Sequence, residues 1–378
     1  MPSSAPSSSD FSSYPTVTKG WTYITPGPPS SLVFNPCIPV PALTSPTSVL
    51  VHVSYCALNI GSTIAMQLFP SFLHPAPTPW VPELDFSGTI TSIGPDVLNI
   101  SNDLMVGAEV FGAQPMSAHL KFGSGSLAEY LVVEAKFIVC KPPMITYAEA
   151  AGLGIVGCTS LLLVRRARLK RGDKVLINGG SGGAGSLVVQ LVRKEVGDTG
   201  KIVVVCSGHN ADLVKDLGAD EVVDYKTHAP VHSYLSAHYS RDPFDSIIDA
   251  VGIQELYFNC GPFLAIGKPY VSIGVKMKYL TRVRMIETVF RMIQSSFLPR
   301  ILGGGTREYA QVVMMEASRA DLEELRKLVH TGDLKGVVDS IWEMDDALKA
   351  YDRCLNHSLR GKVIIKVRSS DESVGNGH

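Results

Sequence analysis

Residues 173–192 read DKVLINGGSGGAGSLVVQLV: an apolar strand, a glycine-rich turn and an amphipathic helix in immediate succession. Within the turn, Gly180, Gly182 and Gly185 satisfy G-x-G-x-x-G in the strand–turn–helix setting that the motif requires. The first glycine permits a sharp turn, the second lets backbone N–H groups approach a pyrophosphate, and the third allows close helix–strand packing. The helix start adds unpaired N–H donors and the positive end of the helix dipole. The segment therefore reads as a dinucleotide phosphate cradle formed by Gly180, Ser181, Gly182, Gly183, Ala184 and Gly185. Further apolar runs follow at 201–207, 221–225, 244–252 and 269–275, with a helical stretch from Asn210 after the first. This alternation predicts an α/β fold, a doubly wound parallel sheet covered by helices on both faces.

The same turn also spells G-x-S-x-G through Gly179, Ser181 and Gly183, the nucleophile elbow of a serine hydrolase. An elbow should follow several strand–helix crossovers, whereas the chain before residue 173 reads as short strands and loops. Ser181 is accordingly taken as a small turn residue whose hydroxyl meets phosphate.

The 378 residues are 45% hydrophobic, enough for two cores. With 34 basic and 35 acidic side chains well mixed, the formal charge of −1 gives no footprint for nucleic acid or an anionic membrane surface. No apolar run reaches the ~20 residues of a membrane span. The start of the chain lacks the basic-then-apolar layout of a secretory signal, so a cytoplasmic protein is expected. Residues 1–13 are serine-rich and expected to be disordered. The seven cysteines are scattered singly, with no C-x-x-C, as in a protein of reduced thiols.

Upstream, 48–59 has the alternation of a half-buried strand, with Val49, Val51, Val53 and Tyr55 on one face. Further short strands punctuated by Gly, Pro and Ser predict a mainly antiparallel β domain. A helical segment begins at Thr146, with Glu149 completing a capping box. Beyond residue 275, Ile286, Phe290, Ile293 and Phe297 make an apolar helical stripe within 283–302, and the tail runs helix, strand, helix, strand.

The order of ALNIGS (57–62), ELDFSG (83–88), GSLAEYLVV (125–133), EAAGLGIVGCTS (149–160), INGGSGGAG, LGADEVVDY (217–225) and RGKVIIKV (360–367) resembles the medium-chain dehydrogenase/reductase superfamily, in its zinc-free quinone-oxidoreductase-like branch. The resemblance implies a GroES-like β-rich domain at 14–155, a Rossmann domain at 156–304, a return to the first domain at 305–378, and an active-site cleft between the two domains. The positions that hold catalytic zinc in metal-containing relatives align here with Asn59, Leu84 and Gly152, which cannot supply that ligand set. Without a Lewis acid, conjugate hydride addition to an enone or quinone becomes the natural chemistry, because the charge spreads into an enolate.

The second nucleotide-domain strand ends in Ser207, Gly208, His209 and Asn210, with no carboxylate to repel a 2′-phosphate, so NADPH is the expected cofactor. The resemblance implies further contacts: Ser207, His209, Asn210 and Tyr225 at the adenosine end; Thr159, Ile273 and Gly274 near the nicotinamide; Val251 and Gly252 by the ribose; and Lys362 at a phosphate or the cleft. Asn59 is the candidate donor to the substrate carbonyl. Ser62 stands where many relatives carry Asp, and with Asn59 forms the expected catalytic pair. A lipophilic small-molecule substrate and a homodimer are expected, with no nucleic-acid partner. Two alternatives stand beside the enone reductase: a stand-alone enoyl reductase acting on a polyketide or fatty-acyl thioester, and a nucleotide-sensing or scaffold protein without turnover.

Overall fold

The computed structural model describes residues 14–68, 79–274, 294, 307–312, 317–355 and 358–368. An antiparallel pair, β1 (Val17–Thr22) and β2 (Val33–Pro39), precedes β3 (Ser48–Ala57), β4 (Asp85–Ile93), β5 (Glu109–Ala113), β6 (Tyr130–Glu134) and β7 (Ile138–Cys140). The nucleotide domain then supplies β8 (Lys174–Asn178), β9 (Lys201–Cys206), β10 (Glu221–Asp224), β11 (Ser246–Asp249), β12 (Pro269–Ser272) and β13 (Glu308–Gln311). Finally β14 (Val338–Glu343) and β15 (Lys362–Lys366) return to the first sheet, whose order is β14-β15-β3-β4-β5-β7 with β6 also paired to β3.

The second sheet is parallel throughout, in the order β10-β9-β8-β11-β12-β13. The chain winds outward from β8 through β9 to β10, then crosses back to lay β11 on the other side of β8. This is the doubly wound Rossmann arrangement, and it opens a crevice beyond the carboxyl ends of β8 and β11. The α/β class and the β-rich first domain therefore stand as read from the sequence.

Three details differ. The face shared by Val49, Val51 and Val53 does not include Tyr55, because β3 shifts register against β4 between Val53 and Tyr55. This irregularity turns Cys56 into the core with the three valines and sends Tyr55 and Ala57 to a small cluster with Ala148, Ala151 and Ile364. The helical stretch from Thr146 is two helices, Tyr147–Ala151 with the expected Thr146–Glu149 capping box and Gly154–Ala167. The expected domain change at 304/305 comes too early, since β13 completes the nucleotide sheet beside β12. The stripe at 283–302 lies outside the described residues, Gln294 apart. Among the described residues no helix is long and apolar enough to cross a membrane.

Candidate active site

The glycine turn is built as its spacing implies, with one addition. Gly179 carries the left-handed backbone, φ +81°, one residue before the motif begins. A Cβ on Gly185 would collide with the Gly179 carbonyl oxygen, and one on Gly180 would lie 2.5 Å from Val204 Cγ1. Gly182, by contrast, has no atom nearer than 3.7 Å to the place of a Cβ, leaving its face open to a ligand. It caps helix Gly183–Val196, whose first-turn N–H groups have no intrahelical acceptors. Ser160 Oγ on helix Gly154–Ala167 ties this helix start in place by donating to Ala184 O at 3.1 Å.

The C-terminal return lies directly against the turn. Gly361 N–H donates to Ser181 O at 2.9 Å, and Gly361 pairs with Gly182. Asn210 Nδ2 donates to Ser181 Oγ at 2.9 Å and to Leu359 O at 3.2 Å, while its Oδ1 is buried with no acceptor bond among the described residues. Such an oxygen suits a ribose hydroxyl. At the same edge Ser207 is buried at the end of β9, whereas His209 and Tyr225 are exposed.

The expectation of an edge free of carboxylates needs correction. In the parallel register Asp224 stands opposite Cys206, and a Cβ on Gly208 would meet its Oδ2 at 2.6 Å. The acid reaches this edge from the neighbouring strand, out of sight of a local reading. Its Oδ1 accepts from Lys226 N–H at 2.9 Å.

At the crevice between β8 and β11, Asp249 is buried and organises the loop behind it. Its Oδ1 accepts from Asn178 Nδ2 at 2.8 Å and from the N–H groups of Val251 and Gly252, and its Oδ2 from Ile253 N–H and Tyr270 OH. Gly252 (φ +85°) and Gly274 (φ +124°) present backbone here, and buried Gln311 Nε2, without a partner among the described residues, lies 3.3 Å from the place of a Cβ on Gly274. A carboxamide oxygen would satisfy it. Val251 packs under Gly179 and Ile273 against the nucleotide-domain core, while Thr159 Oγ1 is turned back to Ile155 O at 2.7 Å.

Asn59 and Lys362 meet in a buried polar network. Lys362 Nζ donates to Asn59 Oδ1 at 2.6 Å and Leu58 O at 2.7 Å, its stem passing the faces of Gly152 and Gly183. Both protons of the Asn59 amide are occupied: Nδ2 donates to Asp85 Oδ2 at 3.0 Å and to Ala57 O at 3.2 Å. Asn59 therefore holds its neighbours and has no N–H left over for a substrate carbonyl, which corrects the role expected of it. Lys362 likewise directs its ammonium into the catalytic domain rather than at the glycine turn.

Asp85 ties the network to the nucleotide domain by accepting from Ile155 N–H at 2.7 Å, and burial raises its pKa against the opposing pull of Lys362, Ile155 and Asn59. Glu83 accepts from Asn59 N–H at 3.0 Å and from Tyr351 OH at 2.9 Å. Burial pushes its carboxyl up to about 7, although Tyr351, Lys362, Ser62 and Asn59 all favour the charged form. Ser62 follows on helix Ile60–Leu68, its Oγ buried beside Glu83 without a well-formed hydrogen bond to any described residue. The sequence reading missed Glu83, Asp85, Asp249 and Gln311. Asp85 and Asp249 had left a trace, the first an acid opening an apolar strand and the second an acid closing one.

Two family models match this arrangement: that of the alcohol dehydrogenase GroES-like domain over residues 45–143 and that of zinc-binding dehydrogenases over 217–365. The trans-enoyl reductase poxH of Penicillium oxalicum is 34% identical over 382 residues, covering 93% of this chain and 98% of its own length. The chain belongs to the medium-chain dehydrogenase/reductase superfamily. It is an oxidoreductase. The fold of this reductase is shared with the quinone oxidoreductase of Coxiella burnetii (TM-score 0.71, 24% identity, 93% of this chain and 99% of that one). It is shared equally with a mycobacterial protein complexed with NADPH (TM-score 0.69, 20% identity, 92% and 99%).

The residues at the positions aligned with catalytic zinc do not fit the metal that one family description names. Of the three aligned positions Leu84 and Gly152 offer no donor, and the Asn59 oxygen already accepts from an ammonium that would repel a dication. A nicotinamide cofactor does fit, by the open face of Gly182, the helix start behind it, and the unmatched Asn210 Oδ1 and Gln311 Nε2.

Proposed function

We propose that this reductase uses NADPH to reduce the activated carbon–carbon double bond of a lipophilic α,β-unsaturated carbonyl compound in the cytosol. One observation carries the reading: Lys362 and Asn59 fill with a hydrogen-bonded ammonium the place where a metal-dependent relative would polarise a simple ketone. The bound cofactor supplies hydride. Gly180, Ser181, Gly182, Gly183, Ala184 and Gly185 would hold its pyrophosphate, and Asp249, through Val251 and Gly252, would shape the ribose site. Gln311 would orient the carboxamide. NADPH over NADH rests on Ser207 and Asn210 at the end of β9 and on Lys226, set against the Asp224 carboxylate close by.

An enoyl thioester is a second substrate form, favoured by the 34% identity to a trans-enoyl reductase. The test is NADPH and NADH oxidation across matched free enones, quinones and enoyl thioesters, with cofactor affinity measured by calorimetry. Faster oxidation of NADPH by activated alkenes is expected. Tight cofactor binding without turnover of any of them would leave a nucleotide sensor instead.

A further inference from the structure

The network around Asn59 buries two carboxyl groups and one ammonium: Glu83, Asp85 and Lys362 are 1%, 0% and 6% exposed. With both acids ionised it would hold an unpaired negative charge away from water, and a carboxyl so placed takes up a proton instead. The surroundings decide which one. Asp85 has the Lys362 ammonium at 3.9 Å as well as the Ile155 and Asn59 donors, whereas Glu83 accepts from the uncharged Asn59 N–H and Tyr351 OH. The other titratable groups facing Glu83 are Cys56 on β3, Tyr351 and Cys354 on helix Ala347–Leu355, and Tyr23 beyond β1, none of them a cation. His119, which lines the same small cavity, sets its two ring nitrogens against Ser124 O at 2.9 Å and the Tyr23 hydroxyl at 3.1 Å. The proton therefore belongs on Glu83.

Two further features single this carboxyl out. Glu83 has φ +65°, a left-handed backbone that costs a residue with a Cβ about 1–2 kcal/mol, so its side chain is held here against a local preference. Ser62 shares the cavity, and its buried Oγ lies close enough to the Glu83 carboxyl to act on its charge while falling short of full hydrogen-bond geometry.

We propose that Glu83 stores the proton that completes the reduction and that the Ser62 hydroxyl hands it to the substrate. The inference rests on the reading of the substrate as an α,β-unsaturated carbonyl. The β-carbon receives hydride with its electron pair from the reduced nicotinamide, which is oxidised. The electron pair of the resulting enolate bonds the proton of Ser62 Oγ at the α-carbon, Oγ takes the Glu83 proton, and Glu83 is left as a carboxylate. Tyr351, Asn59 N–H and the nearby Lys362 charge stabilise that anion, and solvent restores its proton once product has left. Glu83 acts through Ser62 and is thus a positioning group for the proton.

The test is reduction of an α-methyl enone, and of its thioester counterpart, by NADPH in deuterium oxide. The wild type is expected to give α-deuterated product of one configuration, with kcat falling as pH rises through about 7, where Glu83 loses its proton. Glu83→Gln and Ser62→Ala are expected to lower kcat on the order of a hundredfold with KM for NADPH unchanged, to lose that pH limb, and to scatter deuterium over both configurations. Ser62→Ala removes a single hydroxyl beside Glu83 and leaves the Tyr351 and Asn59 bonds to the carboxyl in place, so it tests the relay even where Glu83→Gln does not fold. One configuration and an intact pH limb in Ser62→Ala overturn the relay alone. No NADPH oxidation by the wild type with any activated alkene overturns the functional reading, and the relay with it.

Discussion

Replacing Lys362 by methionine keeps the apolar stem across Gly152 and Gly183 and deletes only the ammonium. The deletion leaves Leu58 O and Asn59 Oδ1 without their donor and removes the cation 3.9 Å from Asp85. At that separation and an effective dielectric near 20, ammonium and carboxylate attract by about 4 kcal/mol. Removing one partner of a buried pair typically destabilises by about 3–5 kcal/mol, because the remaining charge is stranded. The two routes agree, so Lys362→Met should lose about 4 kcal/mol in urea unfolding. Asp85→Asn in the same chain should recover part of it, since the stranded charge is then gone; a double-mutant cycle is expected to give a coupling above about 1.5 kcal/mol. A single-variant loss below about 1 kcal/mol, or additive effects, would refute the picture of a charge held in place by Asn59, Leu58 and Asp85.

Gly185→Ala should abolish NADPH binding by calorimetry and cost about 1–3 kcal/mol of stability, because the added methyl meets the Gly179 carbonyl rather than a movable side chain. Asp249→Asn replaces a carboxylate serving five donors by a group with one acceptor oxygen, its NH2 facing N–H groups. It should weaken NADPH binding at least about tenfold, worth about 1.4 kcal/mol, with a smaller change in kcat than in KM for NADPH; an unchanged KM would show that the 250–253 loop keeps its shape without Asp249.

The order of elements was legible along the chain because its signals are local. Alternating apolar runs mark strands, glycines at 180, 182 and 185 mark a turn that approaches a ligand, and Thr146 with Glu149 marks a helix start. Reading stopped where one backbone event overrules a period, as at the register shift before Tyr55, and where a side chain's role depends on a distant partner. Asn59 had the right residue type for a donor, yet its protons are taken by Ala57 and by Asp85, twenty-six positions on.

By itself, then, the sequence determined a doubly wound nucleotide domain joined to a β-rich one, with a glycine turn between strand and helix. Only the tertiary structure decided that Glu83 and Asp85, just before and at the start of β4, share one buried space with Lys362 of β15. Periodicity is a property of neighbours and can be read from spacing, whereas the charge of a buried group is fixed by what surrounds it in three dimensions, including the residue that arrives 277 or more positions later to neutralise it.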